Sequence, residues 1–526
     1  MRIYTYLKNT IIHLFTKPTL HNTLYSVGFV LLAIGLPLSK WLTGMSVFWI
    51  VGAWLVDSRW ELKLQLLKAN KYRLLASSTI FIVTLLGLLY SDVSKYGIDD
   101  LRHKLPILLI PFVLAQTNVI TAKNLKTILH FFVAANVLAM VLCIIHFFKD
   151  NVTEPRNISM FISHIRFALF ICFSVVICVY YYFKNSEYKL YYAGLIIGLI
   201  VFLIFLQSVT GIVVLTVLMV VYVLYYSVKK HQLKGLIVLV LSASVLGVVL
   251  VKKINFINDS FVIKATAYTP EHTVFGRGYY TMPCKALAEN GTEVTPFINW
   301  EELSKYWQLR TGDSLLSVQN KALGQQYTLV RFLASKQLTK DATGILALSN
   351  TEIQSIKNGV PNYLYQNKIN PIGRIYELLY EYNNYKLGLS PNGHSVVMRI
   401  YFGRAAWQVF THNRIIGTGT GNIETATHKA YENLQVPLAP EHWLHAHNQL
   451  LTFLATFGII GFLCIVLAWL VISRNLIYNK LFIAFATIIL LSFLNEDTLE
   501  TQAGVGFYAL MLNLFLFEYK QKEKLT

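Results

Sequence analysis

The chain has 526 residues, of which 55% are hydrophobic and only 14% charged, against about 25% charged in an average soluble protein. With a mean hydropathy of +0.49, this composition excludes an intrinsically disordered chain and does not fit an ordinary soluble domain. The net charge of +19 would raise a nucleic acid partner in a soluble protein, but here it is first explained by Lys and Arg held in cytoplasmic loops, so no nucleic acid is expected.

Apolar blocks of about 20 residues, the length needed to cross a bilayer, recur along the chain. They predict spans at 24–40, 41–57, 74–91, 105–120, 125–148, 160–183, 188–206, 208–228, 234–251, 447–472, 479–496 and 502–518. The first opens near Leu24 without a small-residue cleavage site and reads as an uncleaved span. Pro37 marks the turn after it, and Pro106 and Pro111 are expected to interrupt the fourth. Cys143, Cys172, Cys178 and Cys464 lie in apolar stretches and Cys284 in a hydrophilic one. That distribution implies neither a disulfide framework nor a cysteine zinc site.

Basic residues set the orientation. Arg59, Lys63, Lys68, Lys71 and Arg73 follow the second span, Lys229, Lys230 and Lys234 the eighth, and Arg474 and Lys480 the tenth. With Arg2, Lys8, Lys17 and the tail lysines Lys520, Lys522 and Lys524, they fall on one side if both termini are cytoplasmic. The opposite loops hold Asp92, Asp99, Asp100, Glu154, Glu496, Asp497 and Glu500. The expected fold is therefore all-α, a polytopic membrane protein of about 12 transmembrane helices. Its parts are a bundle over 1–251, an extracytoplasmic loop domain over 252–446, and three spans with a cytoplasmic tail over 447–526. Helical periodicity at 300–309, 374–388 and 397–411 makes the loop domain mainly helical, with loops at 290–296, 388–394 and 416–422.

Four groups on the outer side could carry chemistry. The run His445-Ala-His447-Asn448-Gln449 enters the tenth span, where ionisable groups are costly and a neutral imidazole could serve as general base. The same residues could instead be a solvated helix cap. Without a further ligand at suitable spacing, His-x-His implies no metal. Arg166, Arg399 and Arg404 are guanidinium groups suited to phosphate oxygens, although Arg404 could equally be a surface snorkeller. The run Gly417-Thr-Gly419-Thr-Gly421-Asn422 permits close backbone approach but is neither a Walker loop nor a dinucleotide fingerprint. The stretch 495–502, with Glu496, could hold sugar hydroxyls or pair with the arginines, or be simply an acidic loop.

The order of these pieces resembles the O-antigen ligase/polymerase superfamily of bacterial inner-membrane proteins. An Arg-bearing helix (Ser395-Val-Val-Met-Arg399), Trp407, the glycine-rich turn, and His447-Asn448-Gln449-Leu450 continuing to Gly458 and Gly461 precede two final spans. The resemblance implies a GT-C-like, cofactor-free and metal-independent glycosyltransferase of lipopolysaccharide biosynthesis, acting at the periplasmic face of the inner membrane. The donor would be a glycan on undecaprenyl diphosphate, and the acceptor lipid A–core in the ligase branch. In a polymerase it would be another lipid-linked repeat, and in a protein oligosaccharyltransferase a Ser or Thr hydroxyl. A transporter is the reading of a different class. The resemblance carries catalytic roles onto His447 and Arg399, and substrate contacts onto Arg404, Asn448, Gly419, Gly421 and Glu496. Many members carry Ser-Arg where this chain has Ser208-Val-Thr-Gly211, and Arg166 is the expected substitute. The loop domain has 19 Lys and Arg against 14 Asp and Glu over 252–446, a basic excess that suits an anionic donor and membrane lipids.

Overall fold

The computed structural model describes residues 18–150, 155–184, 187–230, 233–264, 271–283, 286–315, 324–367 and 371–518. The orientation charges Arg2, Lys8, Lys17, Glu154, Lys520, Lys522 and Lys524, and Cys284, lie outside them. A helix stands at every predicted span: α1 (Pro18–Leu38), α2 (Lys40–Val56), α3 (Trp60–Leu89), α4 (Lys95–Leu114), α5 (Ala122–Lys149), α6 (His164–Lys184), α7 (Lys189–Phe205), α8 (Val209–Lys230) and α9 (Leu233–Ser260). After the loop domain come three more, α17 (Gln449–Leu476), α18 (Lys480–Asn495) and α19 (Gln502–Leu516). Five of these are long and apolar enough to cross a membrane, α1, α3, α5, α6 and α17, and α2, α7, α18, α19 and the first part of α8 are shorter apolar helices. The architecture is that of an all-helical, multi-pass membrane protein.

Local chemistry fixes many of the starts. Ser39, Ser94, Thr121, Asn448, Asn479 and Thr501 cap α2, α4, α5, α17, α18 and α19, each side chain accepting a first-turn amide. Two boundaries depart from expectation. Helix α4 begins at Lys95 rather than near 105 and runs through both Pro106 and Pro111, a tolerance found where neighbouring helices absorb the freed carbonyls. Helix α9 continues to Ser260, so the loop domain starts later than 252.

Helix α19 is the axis of the bundle. Every residue from Ala503 to Leu516 is buried, as befits a helix that is apolar all round. Phe507 lies against Phe132, Phe170, Phe173 and Phe485, with ring centroids 4.8 to 5.8 Å away. The turn leading into α19, residues 496–501, is thereby anchored to a fully buried helix.

The loop domain adds α10 (Trp300–Thr311), α11 (Gly324–Ser335), α12 (Ala342–Leu346), α13 (Asn350–Lys357), α14 (Pro371–Lys386), α15 (Ser395–His412) and α16 (Ile423–Asn433). The three predicted helical runs are α10, α14 and α15. The sequence reading missed α11, α12, α13 and α16. One apolar core gathers Trp307, Phe332, Leu333 and Ile345. A second packs Phe402, Ala405 and Val409 of α15 with Tyr431 of α16 and Ala455 of α17. This second core seats α15 on the bundle and so sets the position of its arginines.

Candidate active site

Helix α17 opens in an unusual way. His447 holds a left-handed backbone, φ 46°, which is uncommon for a residue with a Cβ and marks local strain. Its N–H donates to Asp497 Oδ2 at 2.7 Å, and Thr452 Oγ1 donates to Asp497 Oδ1 at 2.7 Å. Asn448 caps the helix and its Nδ2 donates to the Leu494 carbonyl at 3.0 Å. The 447–452 segment is thus bound to the end of α18 and the turn beyond it.

Glu496 is the meeting point. Its Oε1 accepts Arg399 Nη2 at 2.5 Å, and its Oε2 lies 3.4 Å from His447 Nδ1. The latter contact does not reach hydrogen-bond geometry, and His447 Nδ1 is buried with no hydrogen-bond partner among the described residues. Arg399 Nη1 donates to Asn495 Oδ1 at 3.0 Å, and Asn495 Nδ2 donates to Thr210 Oγ1 at 2.7 Å at the start of α8. Phe402, one turn after Arg399 on the same face of α15, stacks on the His447 ring with centroids 5.4 Å apart. Arg166, in the first turn of α6, donates from Nη1 to Ser163 Oγ at 3.0 Å, while its buried Nε has no partner among the described residues. Its charge still reaches Glu496.

Burial pushes the Glu496 carboxyl upward. The His447 contact and the charges of Arg399 and Arg166 outweigh this and hold it below the usual carboxylate range. Asp497 goes the other way, raised by burial and by the Glu500 charge beside it. The cluster therefore sets the Glu496 carboxylate against three basic groups, with two buried ring and guanidinium nitrogens left over.

Arg399, His447, Arg166 and Glu496 are brought together by α15, α17, α6 and the α18–α19 turn. Arg404 stands apart, about 140° round α15 from Arg399, exposed, 3.4 Å from Tyr385 OH and beside the Tyr401 ring. Asn448 serves as cap and clamp. Gly419 and Gly421, expected to contact substrate, pack closely against the end of α3. A Cβ on Gly419 would meet the Gly87 carbonyl and Ser91, and one on Gly421 would overlap the Asp92 carbonyl. Thr420 N donates to Gly87 O at 3.2 Å and Gly421 N to Ser91 Oγ at 2.9 Å, which fastens the turn to the end of α3.

Residues 344–466 match the model of a family described as O-antigen ligase. That segment is similar to an O-antigen ligase domain. The match supports the O-antigen ligase-like superfamily and a ligase- or polymerase-type function in general. No curated protein matches the chain. The matched segment of this O-antigen ligase-like protein contains Arg399 and His447. Arg166 and Glu496 lie beyond it on either side, and only folding joins them to it. Sequence reasoning missed Phe402 and Thr210, whereas Asn495 opens the 495–502 stretch expected to pair with the arginines. Phe402 was the findable one, three residues after Arg399 on a predicted helix.

Proposed function

We propose that this protein is an O-antigen ligase that moves a glycan from undecaprenyl diphosphate to a sugar hydroxyl of lipid A–core, at the periplasmic face of the inner membrane and without a metal. The observation that carries the reading is the convergence of Arg399, Arg166 and His447 on Glu496, two of them inside the family-matched segment. The acceptor oxygen attacks the anomeric carbon of the first sugar. The bond from that carbon to the diphosphate oxygen breaks, and the lipid diphosphate leaves with the electron pair. Arg399 and Arg166 place fixed positive charge where negative charge grows, which favours the transition state over the ground state. The unpartnered Nε of Arg166 is a spare donor for a phosphate oxygen. Before the donor arrives, Glu496 neutralises Arg399, and the diphosphate competes with it.

With Nδ1 turned to Glu496, the Nε2 of His447 is left to take the proton of the acceptor hydroxyl. The carboxylate then stabilises the imidazolium, the logic by which a carboxylate orients a histidine base elsewhere. Such general-base help is worth about 10²–10⁴-fold.

The test is a lipopolysaccharide gel from the native host carrying wild-type protein or His447→Ala, with analysis of lipid-linked glycan. The expected result for His447→Ala is rough lipopolysaccharide with long polymer retained on the lipid carrier, at normal protein levels. Core bearing a single repeat would make the protein a polymerase. Normal lipopolysaccharide with loss of glycan from secreted proteins would make it a protein glycosyltransferase. An unchanged gel and unchanged protein glycans would remove His447 from the chemistry.

A further inference from the structure

Behind the reacting cluster lies a second set of charges that the proposed chemistry does not use. Lys104 of α4 is 2% exposed and donates to Asp100 Oδ1 and Oδ2 at 2.5 and 2.7 Å and to Glu500 Oε1 at 3.1 Å. Glu500 also accepts Tyr96 OH at 3.2 Å and Gln449 Nε2 at 3.3 Å. Gln449, fully buried, returns its Oε1 to the Leu499 N–H at 2.7 Å. His445 stacks on Tyr96, with ring centroids 5.1 Å apart. One carboxylate thus gathers donors from α4 and from the first residue of α17. It sits four residues after Glu496 and three after Asp497, in a turn with only a single 3-10 stretch, Thr498–Glu500, to stiffen it. A buried ion triad of this kind is no better for stability than apolar side chains of the same volume, and ionisable groups inside a membrane bundle usually have work beyond stability.

We propose that Lys104, with Asp100 and Glu500, is a positioning group for the transfer reaction: it pins the 496–500 turn against α17 so that Glu496 and Asp497 stay in register with His447. The proposal rests on the reading of Glu496 and His447 as the reacting pair. Helix α4 reaches the turn through Tyr96 and Lys104, the latter across 396 residues of sequence. A neutral donor in its place could satisfy one carboxylate, whereas the ammonium holds Asp100 and Glu500 together and so ties the turn to a helix.

The experiment compares the full-length purified protein with the neutral triple variant Asp100→Asn/Lys104→Met/Glu500→Gln, and with Glu500→Gln alone, which leaves the Asp100–Lys104 pair intact. Amide hydrogen exchange and steady-state transfer are both measured. In both variants exchange in 445–449 and 496–501 should rise by at least about 10-fold while the rest of the bundle is unchanged, the signature of a local opening. Turnover should fall about 10- to 100-fold with the donor KM nearly constant, the penalty of misplaced groups. Wild-type exchange in both segments, or wild-type turnover with faster exchange, would overturn the proposal. If the triple variant does not fold, Glu500→Gln decides alone. If the wild type transfers no glycan, the reading of the site fails, and the exchange arm still decides whether the triad holds the turn.

Discussion

At Glu496 two opposing effects meet. Burial favours the neutral acid, and the basic groups around it favour the carboxylate; the second effect wins, so the folded pKa lies below the ordinary value. A carboxyl with a depressed folded pKa adds stability that is complete above the unfolded value, about 4.3 for Glu, and is lost as the pH falls through the folded one. Glu496→Gln should therefore lower the unfolding temperature of the purified protein near neutral pH. The gap from wild type should narrow as the scan is repeated at progressively lower pH, once the wild-type carboxyl loses its charge below its depressed folded pKa. A gap that persists unchanged in acid would mean that Glu496 acts through shape and not charge. In the transfer reaction the same variant should bind donor more tightly, because Arg399 is freed, and turn over more slowly, because His447 loses its counter-charge. That opposite movement of KM and kcat is what separates loss of transition-state support from simple loss of binding.

At the scale of elements, the site depends on a broken helix. Helix α17 is interrupted at Gly458, φ 62° and ψ −168°, a conformation open in practice only to glycine. The amides and carbonyls released there are taken up by the chain after α15: Ile459 N donates to Arg414 O at 2.8 Å, Ile460 N to Ile415 O at 3.1 Å, and Gly419 N to Thr456 O at 2.8 Å. Gly417, φ 72°, sits back to back with Gly458, and a Cβ on either would overlap the other strand of the crossing. The glycines at 417 and 458 are therefore two halves of one joint that holds α15, and with it Arg399, against α17. Gly458→Ala should cost about 1–3 kcal/mol for the backbone strain, with the overlap added to it, and should be read as a lower unfolding temperature. Gly403→Ala is the matched control, since its added Cβ would meet only Leu451 Cδ1 at 3.8 Å and helix propensity favours alanine. Equal behaviour of the two variants would dissolve the joint.

For the whole molecule the first question is sidedness. Both termini inside and the loop domain outside is the arrangement the basic loops favour, and it would bring the Arg399–His447–Glu496 cluster to the periplasmic side. Glu301 in the loop domain is exposed, with 78% of its side chain accessible. Glu301→Cys should be labelled by a membrane-impermeant maleimide in cells with a permeabilised outer membrane, and Lys68→Cys, on the exposed, charged N-terminal part of α3, should label only after lysis. The reverse pattern would invert the protein and with it the proposed site of transfer. The sequence by itself determined where the long apolar helices lie, because burial in lipid demands apolar runs whose positions are visible residue by residue. It also determined the pieces of the family pattern, Arg399 and His447, because those are local strings. Helix α4 shows where this stops. Asp100 and Lys104 put its first turns below any hydropathy threshold, and the bonds to Glu500 that make those charges bearable belong to a residue far along the chain. The same holds for the glycine-rich turn, whose spacing suggested a ligand loop and whose partner turned out to be the end of α3. Only the tertiary structure decided that Glu496 meets Arg399 and His447 at once while the Arg166 charge acts on it, and that Arg404 stands apart, because a helix face and a long-range charge pairing are set by packing between segments and leave no mark within either one.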